Sequence, residues 1–369
     1  MKVVTVLGTR PEVIRLSRII PKLDLLAEEH TLVHTGQNFD PRLRDIFFRE
    51  LEVRDPDYSW SHTRHTLGSQ LSSLFRRLEE VLASKRPDVL LTLGDTNSAL
   101  SAVLAERMGI PVVHMEAGNR CYDPAVPEEK NRRVIDAIST FNLPYTPGSR
   151  ENLLREGIAP SRILLSGNPI YEVLEHYRDR IENSTVLARL ALTPGEYFIA
   201  TIHRAENVDH LPHLKELIDG LNRIAEGFGK RIICSLHPRT RVRLAASPEL
   251  AIHPLVELHE PFGFFDFASL EQHAFCALTD SGTVQEECCL FQVPTVTLRR
   301  TTERPETVDC GSNVVAGLNA ARMYDAAKAM TALSRTWTTP AGYQESDVSG
   351  KVVKFISTCW QGGLPNVYR

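Results

Sequence analysis

Acidic and basic groups recur in this chain at one kind of place, just past short apolar runs. Asp95 follows Val89-Leu90-Leu91-Thr92-Leu93-Gly94, and Glu116 closes Val112-Val113-His114-Met115. Glu128 and Glu129 stand behind Pro127, at a helix start. Carboxylates gathered in a cleft push their pKa values apart and can then act as acid and base. For Glu128 and Glu129, the attraction of first-turn acids to a helix N-terminus explains the spacing equally well. His203 follows the run Tyr197–Ile202 and is either a structural histidine or a partner for a ligand's charge.

A second group of residues is suited to anions. Asp280-Ser281-Gly282-Thr283 leads into a helix over Val284 to Phe291, where free N–H groups and the helix dipole could seat a phosphate. An ordinary Ser or Asp cap has the same appearance. Beyond the next strand come Arg299, Arg300 and Arg304, cations that are costly to bury unless they meet carboxylates or a phosphate. Arg10 and Arg204 also lie at strand ends. A solvated loop accounts for any one of these arginines, whereas their convergence from different strand ends points to an anionic ligand.

These residues need a scaffold of buried strands, and the sequence supplies one. Lys2–Leu7, Thr31–Thr35, Asp88–Leu93 and Val112–Glu116 read as strands, with a helix over Ser98–Met108. Continuous apolar runs of this kind mark strands of a parallel sheet covered on both faces. The pattern restarts with strands at Tyr197–Ile202 and Arg231–Leu236. An internal echo links the halves: strand, Asp95, helix, Pro111, strand; then strand, Asp280, helix, Pro294, strand. Asp to Pro spans 16 residues in the first copy and 14 in the second. The predicted fold class is therefore α/β, with two Rossmann-like doubly wound domains in tandem. The boundary is expected between Gly167 and Pro194, and a ligand site is expected in the cleft between the domains, outside the strands' carboxyl ends.

Composition narrows the class. The chain has 369 residues and a net charge of −4, unlike a basic nucleic-acid binder. No apolar run reaches the roughly 18 residues of a membrane span, and the N-terminus lacks a signal peptide's features. Seven cysteines without a C-x-x-C suit a reducing compartment, so the expectation is a cytoplasmic protein. Cys288-Cys289 is read as helix packing. There is no G-x-G-x-x-G after a strand, no G-x-x-x-x-G-K-[ST] and no H-E-x-x-H, and the 13 histidines lack metal spacing. Neither metal nor cofactor is expected.

Over nearly its whole length the chain resembles the non-hydrolysing UDP-N-acetylglucosamine 2-epimerases. The marks are Gly8-Thr9-Arg10-Pro11-Glu12, Thr35-Gly36-Gln37, Gly94-Asp95-Thr96-Asn97, His114-Met115-Glu116-Ala117-Gly118, Pro127-Glu128-Glu129 with Asn131-Arg132, and Gly167-Asn168. They continue with His203-Arg204, Glu206-Asn207, Asp280-Ser281-Gly282, Gln285-Glu286-Glu287 and Thr302-Glu303-Arg304-Pro305-Glu306. The resemblance implies the GT-B arrangement of two Rossmann-like domains, at residues 1–170 and 171–350. A C-terminal segment at 351–369, with a helix around Val352–Cys359, would pack back on the first domain. It also implies a homodimer that needs neither metal nor nicotinamide.

It implies a chemistry as well. The C2 hydrogen of an N-acetylhexosamine has no neighbouring carbonyl to acidify it, so the family eliminates UDP across C1–C2. It then adds UDP back to the 2-acetamidoglucal, with a proton delivered to the opposite face. Carried over by motif, Asp95, Glu116 and Glu128 become the acid/base candidates, and His203 assists near the diphosphate. Arg10 faces the sugar and phosphate, and Arg132 supports the acids. Ser281 and Gly282 contact the diphosphate, Glu287 takes the ribose hydroxyls, and Phe267 lies at the uracil. Arg15, Arg204 and Arg304 complete the expected binding set.

Three departures from the family pattern stand out. Arg15 occupies a position that is usually Lys. Asn119-Arg120-Cys121-Tyr122 resembles the branch acting on modified UDP-hexosamines, 6-deoxy or diacetamido. Gln37-Asn38-Phe39-Asp40 departs from the loop through which bacterial members are activated by a second substrate molecule. The alternatives are thus a 2-epimerase of a modified sugar, a GT-B glycosyltransferase, a hydrolysing epimerase and a non-catalytic UDP-sugar sensor.

Overall fold

The computed structural model describes residues 1–37, 41–60, 66–333 and 335–359. They form two α/β units: Met1–His176 with the described residues from Ala341 onward, and Tyr177–Pro340.

The first unit is built on a six-stranded parallel sheet. Its strands are β1 (Lys2–Leu7), β2 (Glu29–His34), β3 (Tyr58–Ser59), β4 (Val89–Leu93), β5 (Val112–Met115) and β6 (Phe141–Leu143), in the order β3-β2-β1-β4-β5-β6. Val4, Val6, Leu90 and Val112 pack against Leu78, Leu82, Ala102 and Ala105 from covering helices. Burial of this kind contributes about 1.5–3 kcal/mol per large aliphatic side chain. The helix Arg10–Leu16 follows β1 directly, with Thr9 as N-cap and Glu12 closing a capping box. After β4 the chain makes a 3₁₀ turn, Asn97–Leu100, and only then an α-helix, Ser101–Arg107. The single helix expected over Ser98–Met108 is thus split into a 3₁₀ turn and an α-helix. The helix Val348–Cys359 packs on Ile19–Leu26, where Lys22 Nζ donates to Ser349 Oγ at 2.6 Å.

The second unit repeats the plan. Its strands are β7 (Tyr197–Ile202), β8 (Arg231–Leu236), β9 (Val256–His259), β10 (Cys276–Thr279), β11 (Thr295–Thr297) and β12 (Asn313–Val315), in the order β12-β11-β10-β7-β8-β9. Phe198 and Ala200 face one core, against Leu217, Leu221 and Met323; Tyr197 and Ile199 face the other, against Leu270, Val284 and Cys288. Both cysteines of the Cys288-Cys289 pair are buried.

In each sheet the first strand of the unit lies beside the fourth, β1 beside β4 and β7 beside β10. These are the points where the direction of winding reverses and loops part at the carboxyl edge, leaving room for a ligand. The echo in the sequence is now explained: each copy is a fourth strand, a helix and a fifth strand. The fold class is the expected one of two Rossmann-like domains. No helix among the described residues is long and apolar enough to cross a membrane.

Candidate active site

The first unit brings its acids together at the β1/β4 reversal. Gly8 lets three strand ends close up there, since a Cβ would stand 2.2 Å from both Ser98 Oγ and Thr35 Oγ1. Those two hydroxyls lie 2.7 Å apart, and Ser98 Oγ donates to Gln37 Oε1 at 3.1 Å. Glu12 is buried in the same knot. Its Oε2 accepts the amides of Gly8 and Thr9 at 2.5 and 2.8 Å, and its Oε1 accepts Thr96 Oγ1 at 2.7 Å. Burial pushes this carboxyl up to about 7, against the pull of those donors. Arg10, the first residue of the helix, stacks 5.6 Å from the centre of the Phe47 ring, and burial lowers its pKa.

Asp95, just past β4, is held from the helix Pro127–Ile138. Arg132 donates to Asp95 Oδ2 through Nη2 at 2.5 Å and Nε at 3.2 Å. Its Nη1 donates to Glu129 Oε2 at 2.6 Å, and the Cys121 amide donates to the same oxygen at 3.0 Å. Burial works against the Glu129 carboxylate, but the Cys121 amide and Arg132 hold it below its ordinary range. Asn131 Nδ2 donates to the Asp95 carbonyl at 2.9 Å. Of the two first-turn acids, Glu129 is buried and Glu128 only partly so. Sequence reasoning singled out Glu128; it is Glu129 that Arg132 ties to Asp95. The signal available was the three-residue spacing that puts Glu129 and Arg132 on one helix face.

Glu116 stands at the end of β5 with φ at 65°, a left-handed conformation that non-glycine residues adopt at a cost of order 1–3 kcal/mol. Arg15 Nη1, buried like Glu116, lies 3.6 Å from its Oε2. Asn119 Nδ2 lies 3.5 Å from its Oε1. Ser149 Oγ donates to Asn119 Oδ1 at 2.7 Å, which turns the amide NH₂ towards Glu116. His114 ties the two acidic strand ends to each other. Its Nε2 lies 2.8 Å from the Gly94 carbonyl, and its Nδ1 lies 2.9 Å from Asp136 Oδ1. Asp136 also meets Arg120 Nη1 at 2.7 Å. Burial disfavours the Asp136 charge, and His114 and Arg120 more than offset it, so its pKa is lowered.

The second unit assembles its groups at the β7/β10 reversal. Asp280, fully buried, accepts the amides of His203 at 3.0 Å and Arg204 at 2.9 Å, and Asn207 Nδ2 at 3.1 Å. His203 Nδ1 lies 3.1 Å from Asp280 Oδ1. Burial would raise this carboxyl, but His203 and the amide donors bring it down to about 2. The sequence left Asp280 open between a phosphate-seating turn and an ordinary cap; its carboxylate instead holds a turn 77 residues away. Ser281 caps the helix Gly282–Leu290, and its hydroxyl lies 2.9 Å from that of Thr283. Glu287 is buried on that helix beside Glu271, whose pKa is raised first by burial and then by Glu287. Phe267, on the helix Phe264–Gln272, is half-buried against the core face that holds Leu270.

The arginines beyond β11 meet carboxylates of their own chain. Arg299 Nη1 lies 2.8 Å from Glu303 Oε2, and Arg204 Nη2 donates to Glu303 Oε1 at 3.0 Å. Arg304 donates through Nε to Glu286. Arg300 is exposed. Of the two partners the sequence allowed for buried guanidinium groups, carboxylate and phosphate, the carboxylate is therefore present within the fold. Glu303 also borders the capping turn, for a Cβ on Gly282 would stand 2.8 Å from its Oε1. Asn38, Phe39 and Asp40 lie outside the described residues. Among the described residues no group of three or more His, Cys, Asp or Glu side chains could hold a metal ion.

Comparison with known proteins points one way. The family model for UDP-N-acetylglucosamine 2-epimerase matches residues 24–357. A UDP-N-acetylglucosamine 2-epimerase of Methanocaldococcus jannaschii is 39% identical over 94% of this chain and 96% of its own. A crystal structure of the M. jannaschii UDP-GlcNAc 2-epimerase in complex with UDP-GlcNAc and UDP superposes with a TM-score of 0.91 at 38% identity, covering 97% of this chain and 99% of that one. The UDP-2,3-diacetamido-2,3-dideoxy-D-glucuronate 2-epimerase of Pseudomonas aeruginosa is 34% identical over 91% of this chain and 93% of its own.

Proposed function

Because the chain belongs to the UDP-N-acetylglucosamine 2-epimerase family, we propose that it interconverts UDP-GlcNAc and UDP-ManNAc by eliminating UDP and adding it back. One observation carries the reading. Two carboxylates at the ends of adjacent strands, Asp95 and Glu116, are each held by a buried arginine of their own, Arg132 and Arg15. An epimerisation at one carbon needs two such groups, one to remove the proton and one to return it on the other face.

In this reading a carboxylate of the Asp95, Glu116 and Glu128 set takes the C2 proton. The electrons of that C–H bond form the C1=C2 double bond of 2-acetamidoglucal. The C1–O bond breaks, and UDP departs with its electron pair. Re-addition reverses these steps, with the proton delivered by a group on the opposite face. His203 balances charge at the departing diphosphate. Ser281 and Gly282 offer it a hydroxyl and amides at a helix N-terminus, with Arg204 and Arg304 securing the surrounding segment. Arg10 contacts sugar and phosphate, Glu287 the ribose hydroxyls, and Phe267 the uracil. We also infer a cytoplasmic homodimer, on the strength of family membership.

The modified-sugar alternative has its own support: Asn119, whose amide faces Glu116 in a branch-like Asn-Arg-Cys-Tyr run, and the similarity to the P. aeruginosa diacetamido enzyme. Proton NMR of the purified protein with UDP-GlcNAc in D₂O, without an acceptor, tests both. UDP-ManNAc carrying deuterium at C2 is the expected product. Failure with UDP-GlcNAc but turnover of a 6-deoxy or diacetamido UDP-sugar would move the assignment to that branch.

A further inference from the structure

Glu12 carries more connections than a helix cap requires. As the third residue of the helix Arg10–Leu16 it closes a capping box with Thr9, and Oε2 alone performs that task. Its Oε1 reaches across the β1/β4 reversal to the hydroxyl of Thr96, 84 residues away in sequence. Thr96 adjoins Asp95.

The Asp95 loop has two kinds of mooring. Arg132 and Asn131 hold it from the helix Pro127–Ile138. Thr96 is held from the other side, by the helix that begins with Arg10 and carries Arg15. Arg15 in turn meets Glu116. The Glu12–Thr96 bond therefore joins the frame of one carboxylate to the frame of the other.

We propose that Glu12 is a positioning residue, which through the Thr96 hydroxyl sets the Asp95 loop in register with the helix bearing Arg10 and Arg15. The claim rests on the acid/base reading of Asp95. Acid/base groups must stand within hydrogen-bond reach of the proton they move, and a misplacement of about 1 Å can cost on the order of 100-fold in rate. The linkage is also chemically robust. A hydroxyl can donate to a carboxylate or accept from a carboxylic acid, so the bond persists in either ionisation state of Glu12.

Thr96→Val tests this cleanly, because it deletes the linkage and leaves the capping box intact. With UDP-GlcNAc as substrate, the expected result is a kcat about tenfold lower or worse, with KM within about twofold. Thr96→Ser should restore kcat. Glu12→Gln should stay within about threefold of the parent, since its carbonyl can accept the Gly8 and Thr9 amides while its NH₂ donates to Thr96. The loss in Glu12→Ala should not deepen when Thr96→Val is added, as befits two mutations that delete one bond. An unchanged kcat in Thr96→Val, with or without a lower melting temperature, overturns the proposal. So do losses that multiply in the double variant. Asp95→Asn separates the two layers. If that variant turns over normally, the acid/base reading has failed and the mooring, which rests on it, falls with it. If Asp95→Asn is dead and Thr96→Val is fully active, the mooring has failed.

Discussion

The Asp280 carboxylate lies 3.1 Å from Nδ1 of His203 while accepting the backbone amides of both His203 and Arg204. One buried anion thus fixes the turn after β7 and engages one ring nitrogen of the histidine. Asp280→Asn should lower kcat/KM by on the order of tenfold or more, because the neutral amide removes the negative charge that faces His203 Nδ1. The same carboxyl bears on acid stability. Its pKa, about 2, is below the ordinary 3.8, so its contribution is complete above about pH 4 and is lost as pH falls towards 2. Roughly 2 kcal/mol should disappear over that range, read as the difference between parent and Asp280→Asn in denaturant titrations at each pH.

Glu12 works in the opposite sense. Burial raises it from 4.5 to about 7, so the folded state holds this proton more tightly than the unfolded chain. Its contribution is full below about pH 4.5 and is lost as pH rises through 7, a change of roughly 3 kcal/mol. Glu12→Gln, which has no proton to lose there, should show a flatter stability profile over that interval.

Asp95→Asn and Glu116→Gln each remove one acid/base candidate while keeping its shape. Turnover should fall by about 10²–10⁴ in each, with UDP binding still measurable by calorimetry. A fully active variant would remove that residue from the mechanism.

Arg15 and Glu116 form a buried pair, so the charge on Arg15 matters more than its fork. Arg15→Met should cost about 3–5 kcal/mol of stability and most of the activity, because it strands the Glu116 charge in the interior. Arg15→Lys should recover much of both, and comparison of the three melting curves and kcat values decides the point.

Gly282→Ala tests the second unit's capping turn. Its Cβ would press on Glu303 and through it on Arg204 and Arg299. UDP affinity should fall about tenfold or more, with the melting temperature only slightly changed.

Much of this protein was legible one residue at a time. Strands buried on both faces are written as continuous apolar runs, so β7 and β8 could be bounded from sequence, and the Asp-to-Pro echo exposed the second doubly wound domain. Strand ends in turn marked where Asp95, Glu116, His203 and Ser281 would stand. What the sequence alone could not determine is which charge answers which. Arg132 meets Asp95 across 37 residues, Glu12 meets Thr96 across 84, and Arg204 turns to Glu303 across 99. Local pattern reports burial and backbone shape, properties each residue shares with its near neighbours in sequence. Partnership inside a low-dielectric interior is set by distances of a few ångströms, and only the order of strands in the sheets brings those groups within reach.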